Sequence, residues 1–166
     1  MPAIKLYDRT AAVNYAHRWA HSRNPAFYAF DELGGDCTNF ASQCLYAGAG
    51  IMNFTPTFGW YYKSADNRAP AWSGVTYFYN FLTRSKASRG PFAIQVSLGE
   101  LEPGDFVQLR FTPDGPFGHN PVVVAVLGPE PEQILVATHS EDSDNRPLSS
   151  YPYEAVRCLH ILGVRL

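Results

Sequence analysis

The chain has 166 residues, 46% of them hydrophobic and 14% aromatic, which is enough apolar material for one globular domain spanning residues 1–166. Its 13 basic and 15 acidic residues give a formal net charge of −2 with no long run of like charge, which argues against nucleic acid and anionic membranes as partners. The three cysteines cannot all pair within the chain, and none has the spacing of a zinc ligand, so we expect neither a disulfide framework nor a metal site.

The first predicted element is a helix over residues 9–22. Asp8 is a good N-cap, apolar residues recur at helical spacing, and Asn24-Pro25 ends the pattern. The preceding residues 1–8 lack a basic region followed by a long apolar stretch, and no stretch of about 18 apolar residues occurs later. As written, the chain is therefore expected to be soluble and to carry no export signal.

A second helix is predicted to open at Asp36 or Cys37, directly behind two glycines whose flexible backbone permits a sharp approach. Its apolar residues fall on one stripe, which predicts that this side, Cys37 included, faces the core. Residues 52–72 are polar and aromatic, and we interpret them as a structured loop. A third helix is predicted over residues 73–84, with Gly90-Pro91 as a break beyond it.

The second half of the chain changes to a β pattern. A turn with Pro and Gly at residues 101–105 precedes a strand over residues 106–111, and the later β-rich runs are residues 122–127, 134–138 and 155–164. Helices first and an antiparallel sheet afterwards predict the α+β class.

Cys37 is a candidate nucleophile because of its place in the chain. Unpaired N–H groups and the positive end of the helix dipole favour an anion at a helix start, so we expect a thiolate there. Cys44 and Cys158 lack such a position and are interpreted as small buried apolar residues.

A nucleophilic cysteine needs a base, and that base needs a third group to orient it. His119 stands at a predicted strand entrance and is the candidate base. If the following hairpin pivots at Glu130, His119 faces Glu141, and His139 lies diagonally adjacent on the same face, where the two imidazoles could touch. A register shift of one residue would instead make Asp142 the orienting group.

The other three histidines are interpreted as structural residues. His17 and His21 lie four residues apart on the first predicted helix, but no third ligand accompanies them, so a shared metal is not expected. His160 lies within the last predicted strand.

These residues stand in a pattern that resembles the bacterial putative amidase domain family, a branch of the papain-like superfamily that also contains the NlpC-type and CHAP cell-wall peptidases. The resemblance covers nearly the whole chain. It rests on the spaced residues Tyr7, Arg9, Tyr15, Ala16 and Trp19 at the first predicted helix and on the Gly-Gly-Asp-Cys-Thr-Asn-Phe run at 34–40. It also rests on the aromatic run at 59–62 with Trp72, the Leu-Glu-Pro-Gly-Asp turn at 101–105, Gly118-His119 and residues 139–148.

The resemblance implies a papain-like fold in which a helix bears the nucleophile Cys37 and packs on a sheet that bears His119 as general base and acid. The third polar residue of such proteins maps to His139. It also implies a peptide or amide substrate of the cell-wall kind, such as a peptidoglycan fragment, and related domains are often exported. The sequence departs from the pattern at Asn120-Pro121, where the strand would be expected to begin at once.

The resulting hypothesis is a cysteine-dependent amide or peptide hydrolase that forms an acyl-enzyme on Cys37 and needs no cofactor. The backbone N–H of Cys37 is one expected oxyanion donor. Candidates for the second donor are Tyr28, Asn39 and Gln43. The aromatic residues Trp60, Tyr61 and Trp72 either wall a substrate groove or cover the second helix.

Two other classes of function stay open from the sequence. An acyltransferase would use the same Cys/His pair and would respond to added amine or alcohol acceptors. A catalytically silent binding module would keep the fold and leave Cys37 unreactive.

Overall fold

The computed structural model describes residues 2–166 and shows the predicted α+β class, with helices packed on a curled antiparallel sheet. The helices are α1 (Arg9–Trp19), α2 (Cys37–Ala49), α3 (Pro70–Ser73) and α4 (Val75–Leu82). The strands are β1 (Ile4–Lys5), β2 (Tyr62–Ser64), β3 (Asn67–Arg68), β4 (Gly90–Val96), β5 (Phe106–Arg110), β6 (Val122–Val126), β7 (Ile134–Thr138), β8 (Ser143–Pro147) and β9 (Ala155–Arg165).

Seven strands form the main sheet in the order β1-β9-β5-β6-β7-β8, and β4 pairs with the other side of β9. The long strand β9 therefore joins three neighbours, while β2 and β3 form a separate small hairpin. No helix of residues 2–166 has the length and apolar character needed to cross a membrane.

The two N-terminal helices begin where local signals predict. The side chain of Asp8 caps α1 by accepting a hydrogen bond from the Ala11 N–H at 3.0 Å. This helix ends at Trp19, three residues before the predicted end. Helix α2 opens at Cys37, and Gly50 closes it in the left-handed conformation with φ at 74°.

Other predicted boundaries were wrong. The helix predicted over residues 73–84 is present as α4 and is shorter by two residues at each end, because Gly74 before it has extended backbone angles. The short helix α3 that ends at Ser73 was not predicted. The predicted loop at 52–72 contains the β2–β3 hairpin and most of α3. The predicted break at Gly90-Pro91 is the start of β4, which pairs with β9 alone, and proline is tolerated in such an edge strand. Strand β8 was not predicted.

Apolar side chains cover both faces of the sheet. A helix-side cluster joins the four helices to one face, and its sheet members are Ala93, Phe106, Val122, Val124, Ala137, Leu159, Ile161 and Val164. An outer-face cluster packs on the other face and consists of Leu101, Val107, Leu109, Val123, Ile134, Val136, Leu148, Tyr151 and Cys158. Successive side chains of a strand point to opposite faces, so the members of these two clusters show on which face each adjacent residue of the strand lies.

The β6–β7 hairpin corrects the predicted register. Ala125 pairs with Leu135, as a pivot at Glu130 requires, but an irregularity follows and Val123 pairs with Val136. The pairing has therefore slipped by one residue toward the strand entrance, and it ends at Val122. The expected pairing of residue 119 with residue 141 does not form.

Candidate active site

The Cys37 thiol lies at the first residue of α2, where the chain turns out of two glycines. Gly34 and Gly35 have φ angles of +94° and +105°, a conformation that side-chain-bearing residues rarely adopt. The turn places Cys37 against the sheet with 8% of its surface exposed. This confirms the predicted position of Cys37 at the helix start and its inward direction.

The sulfur of Cys37 has three polar groups around it. The Thr38 hydroxyl lies 3.8 Å away, and the backbone N–H groups of Thr38 and Asn120 are near enough to favour the anion. Burial nevertheless raises the pKa of the Cys37 thiol above its ordinary value, and the hydrogen bonds from Thr38 and Asn120 offset only part of that rise. The expected thiolate was therefore wrong for the free protein, because the loss of solvation outweighs the helix start.

His119 is buried at the entrance to β6. It forms an isolated antiparallel bridge with Leu109, which places its side chain on the side of the outer-face cluster. The imidazole centre lies 5.5 Å from the ring centre of Tyr151 and 6.3 Å from that of Phe111. Burial and the nearby positive charge of Arg146 lower the pKa of His119 to about 4, so the ring is neutral at pH 7.

The structure brings Cys37 and His119 together through the backbone. Asn120, whose N–H reaches the sulfur, directly follows His119 in the chain. The imidazole itself has no hydrogen bond to the thiol or to any other side chain within residues 2–166. The backbone of His119 thus lies near Cys37, whereas its imidazole lies on the outer-face side of the sheet, away from the thiol.

His139 has partners other than the one predicted. Its Nδ1 lies 2.5 Å from Oδ2 of Asp36, and its Nε2 donates to the backbone oxygen of Trp19 at 2.8 Å. The ring also stacks on Phe40 with 4.0 Å between centres. Both ring nitrogens are therefore occupied at the start of α2, and the predicted contact between the imidazoles of His119 and His139 is absent.

The alternative orienting groups also lie elsewhere. Asp142 accepts two hydrogen bonds from the Arg23 guanidinium, at 2.9 and 3.0 Å. The side chain of Glu141 is 89% exposed. The register slip and the end of the ladder at Val122 explain why neither carboxylate reaches His119.

The predicted oxyanion donors are largely committed to the scaffold. The amide nitrogen of Asn39 donates to the Tyr28 carbonyl and to Asp36, both at 2.9 Å, and its oxygen accepts from the Trp72 indole. The amide oxygen of Gln43 accepts a hydrogen bond from the Tyr15 hydroxyl. Tyr28 is half-exposed.

Of the two interpretations of the aromatic residues, Trp60 and Trp72 fit the covering of α2. Both are fully buried. The Trp60 indole donates to the Ser42 hydroxyl at 3.0 Å, and that hydroxyl donates to the Trp72 carbonyl at 2.8 Å. These two rings line no open groove. Tyr61 is partly exposed and packs on Phe54, with 5.7 Å between ring centres.

A chain of buried polar groups beside Cys37 was missed in the sequence. The guanidinium of Arg157 donates to Oε1 of Gln108 at 2.8 Å, and Nε2 of Gln108 donates to Oδ1 of Asn120 at 3.3 Å. A guanidinium can only donate, so this order fixes both amides and leaves the amide nitrogen of Asn120 buried without a partner. The available signal in the sequence was the Asn120-Pro121 step directly after His119, which by itself raises only the question of where the strand starts.

The remaining histidines and cysteines lie in structural positions. His17 pairs with Asp144 at 2.9 Å, and His160 pairs with Asp105 at 2.8 Å. His21 is exposed, and Cys44 and Cys158 are buried with free thiols. Within residues 2–166, no group of three or more side chains of the metal-binding types is close enough to hold an ion.

Comparisons with known proteins identify the family of the chain. A sequence model of the family described as "Putative amidase domain" matches residues 6–162. A Bacillus subtilis (strain 168) protein described as "Uncharacterized protein YhbB" is 40% identical over 122 residues, which are 72% of this chain and 37% of that protein. The chain thus spans little more than a third of that relative's length. No solved structure matches the chain.

Proposed function

The chain belongs to the Putative amidase domain family, and from this premise we propose that it hydrolyses amide or peptide bonds through a thioester on Cys37. The observation that carries the proposal is the position of this thiol, at the start of a buried helix and in contact with the N–H that follows His119. Such a site offers a sulfur and N–H donors to one carbonyl group, and the proposal requires the imidazole of His119 to turn toward them.

In the proposed reaction, the Cys37 sulfur attacks the amide carbon while its proton passes to the imidazole of His119. The tetrahedral intermediate collapses, its C–N bond breaks, and the leaving amine takes the proton from His119. A water molecule then gives a proton to His119 and attacks the thioester. Breakage of the C–S bond releases the carboxylic acid, and His119 passes its proton to the departing sulfur, which restores the thiol.

His119 is in the protonation state that a base needs, since the pKa of about 4 keeps the ring neutral above pH 5, but a base of such low pKa is weak in the free protein. Its ring lies against Tyr151 and Phe111 on the outer face, so the proposed reaction requires the ring to turn toward the thiol when substrate binds. No hydrogen bond to another side chain opposes this turn within residues 2–166. Catalytic hydrogen bonds often tighten only in the complex with substrate.

Negative charge on the carbonyl oxygen requires donors. The backbone N–H of Cys37 is at the helix start, where intrahelical bonds leave it free. We assign the second donor to the amide nitrogen of Asn120, which is buried, lacks a partner and is oriented by Gln108. This assignment replaces Tyr28, Asn39 and Gln43.

We propose that His139 positions Cys37 and is not the third catalytic residue that the resemblance implied. Its bond to Asp36 ties β7 to the residue that precedes Cys37, and its bond to the Trp19 carbonyl ties both to the end of α1. The nucleophile is thereby held against the sheet. This scheme is the one used in the papain-like superfamily, which the sequence resembles. On the same resemblance we propose peptide amides such as cell-wall fragments as substrates.

The test is hydrolysis of peptidoglycan fragments and simple peptide amides by the protein and its Cys37→Ala variant. We expect Cys37→Ala to abolish turnover while the free energy of unfolding changes by no more than about 1–2 kcal/mol. The matched control is Cys44→Ala, which changes a buried thiol in the same helix and should leave the chemistry intact. Mass spectrometry should find the acyl group on Cys37.

Turnover retained by Cys37→Ala would overturn the proposed mechanism. Acyl transfer to added amines in preference to water would identify an acyltransferase with the same nucleophile.

A further inference from the structure

Arg157 is held in place without an acidic partner. Its guanidinium carbon lies 3.7 Å from the ring centre of Tyr79 and 4.2 Å from that of Phe117, so the cation lies between two aromatic rings. Its Nε donates to Gln108. None of the ion pairs formed by residues 2–166 includes Arg157.

Arg110 is a second cation of the same kind. Gln108 pairs with Arg157 across β5 and β9, so Arg110, two residues further along β5, is a diagonal neighbour of Arg157 on the same face of the sheet. Its guanidinium carbon lies 5.7 Å from the Phe117 ring centre. Its Nε is buried without a hydrogen-bond partner, and it too forms no ion pair with the acidic residues of the described chain.

The two arginines are connected to the candidate active site. Gln108, which accepts from Arg157, donates to Asn120, and the N–H of Asn120 reaches the Cys37 sulfur. Two hydrogen bonds thus connect Arg157 to Asn120, whose backbone lies beside Cys37.

Arg110 and Arg157 are partly buried, lie near the same Phe117 ring and have no acidic partner among the described residues. This arrangement does not stabilise the fold, so we look for a functional reason for it. Their repulsion and loss of solvation are unfavourable, and burial lowers the pKa of Arg157 accordingly. The chain has more acidic than basic residues, so a shortage of carboxylates does not explain why these two arginines have no acidic partner. A planar guanidinium with free N–H groups matches the two oxygens of a carboxylate.

We propose that Arg110 and Arg157 bind a carboxylate of the substrate, so that the enzyme prefers amide bonds close to a free carboxylate. The inference rests on the proposed function for the reaction, but the binding of the carboxylate is separable from it. It narrows the substrate class to acidic peptides or peptides with an accessible C-terminal carboxylate.

The experiment uses an acetylated dipeptide with a free C-terminal carboxylate and the same dipeptide as its C-terminal amide. We expect kcat/KM for the carboxylate form to exceed that of the amide by at least about tenfold, since charge-assisted bonds to Arg are worth a factor of this order. Arg157→Gln and Arg110→Gln should each reduce this ratio severalfold. The control is Arg18→Gln, which removes an exposed arginine that also lies over an aromatic ring, 5.0 Å from that of Trp19, and should leave the ratio unchanged.

Binding is measured separately on the Cys37→Ala variant, which cannot turn over the peptides. Resonances of the Arg110 and Arg157 Nε–H groups should shift with the carboxylate peptide and not with its amide. Shifts without hydrolysis by the unmodified protein would support the carboxylate site and contradict the proposed function. Hydrolysis without a carboxylate preference, or a preference unchanged in both arginine variants, would overturn the inference and leave the proposed function intact.

Discussion

The Cys37 thiol shows how two local effects on one atom compete. A helix start and hydrogen bonds from Thr38 and the Asn120 N–H favour the anion, whereas removal from water favours the neutral thiol. Burial is the larger effect, so the pKa of Cys37 lies above its ordinary value. In the free protein the thiol of Cys37 and the imidazole of His119 are therefore both neutral at pH 7.

This balance predicts a pH profile for alkylation of Cys37. Because only the thiolate reacts and burial raises the pKa of Cys37 above its ordinary value, the rate with iodoacetamide should rise by about tenfold for each pH unit through the neutral range. The measurement is the second-order rate of labelling at Cys37, followed by mass spectrometry, with Cys37→Ala as the blank. A rate that is already constant near neutral pH would show a preformed thiolate and contradict the balance described above.

Asn120 carries the second residue-scale prediction. Asn120→Ala removes the unpartnered amide nitrogen and should lower kcat by about 10²- to 10³-fold, as loss of an oxyanion donor does in other acyl-transfer enzymes. KM should change little, and the rate of alkylation should stay within severalfold, because alkylation develops no oxyanion. Asn80→Ala, at an exposed position on α4, is the matched control.

A second variant separates the donor from the packing of Asn120. Gln108→Glu places two acceptor oxygens beside Asn120, so the amide should turn its nitrogen toward residue 108 and lose the donor at Cys37. The expected kcat is as low as that of Asn120→Ala. Normal kcat in both variants would remove Asn120 from the oxyanion site.

At the scale of elements, the position of α2 depends on a buried ion pair that joins it to β7. Asp36 and His139 are each 1% exposed at their side chains, and Asp36 also accepts hydrogen bonds from the Phe30 N–H and from Asn39. The helix start therefore depends on contacts with a distant strand and with the preceding loop. This gives His139 a structural reason to be present at the site.

We expect His139→Ala to lower the free energy of unfolding by about 3–5 kcal/mol, because it removes the buried imidazole nearest the Asp36 carboxylate and leaves only the Arg23 guanidinium, 3.7 Å away, as a charged neighbour. The control is His17→Ala, which removes the more exposed pair with Asp144 and should cost about 0–1 kcal/mol. Urea unfolding of both variants is the measurement. Equal effects of the two substitutions would mean that the buried pair contributes no more than the exposed one.

The elements that sequence predicted are those with local signals. Helices α1 and α2 begin at an N-cap and behind two glycines, and strand β7 was predicted with its observed bounds. The register of β6 on β7 was not predictable, because it depends on an irregularity between Val123 and Ala125, and no glycine or other residue there indicates a bulge. Because of this slip and the end of the pairing at Val122, neither Glu141 nor Asp142 reaches His119.

At the scale of the whole molecule, Asp105 connects parts of the chain that are far apart in sequence. One oxygen accepts from the Arg9 guanidinium at 2.8 Å and the Ile161 N–H at 2.9 Å. The other accepts from His160 and from the Glu102 N–H, both at 2.8 Å. The turn before β5 was predicted from its Pro and Gly, but partners in α1 and β9 could not be, because local sequence carries no information about them.

Asp105 is fully buried, so its substitution tests whether this connection holds α1 on the sheet. Asp105→Asn keeps the volume but removes the charge and turns one acceptor into a donor that faces other donors. We expect the free energy of unfolding to fall by about 3–5 kcal/mol, as for other broken buried pairs. Asp66→Asn, at an exposed site, should change it by less than about 0.5 kcal/mol.

Hydrogen exchange distinguishes a local from a global effect of Asp105→Asn. If the carboxylate joins α1 to the end of β9, amides of α1 and of residues near Ile161 should lose protection together, and those of β7 should lose less. Because Arg9 also donates to the Ile161 carbonyl at 2.7 Å, its guanidinium should be freed in the same event. A uniform loss of protection over the sheet would show that Asp105 contributes to the stability of the molecule as one unit and does not specifically anchor α1.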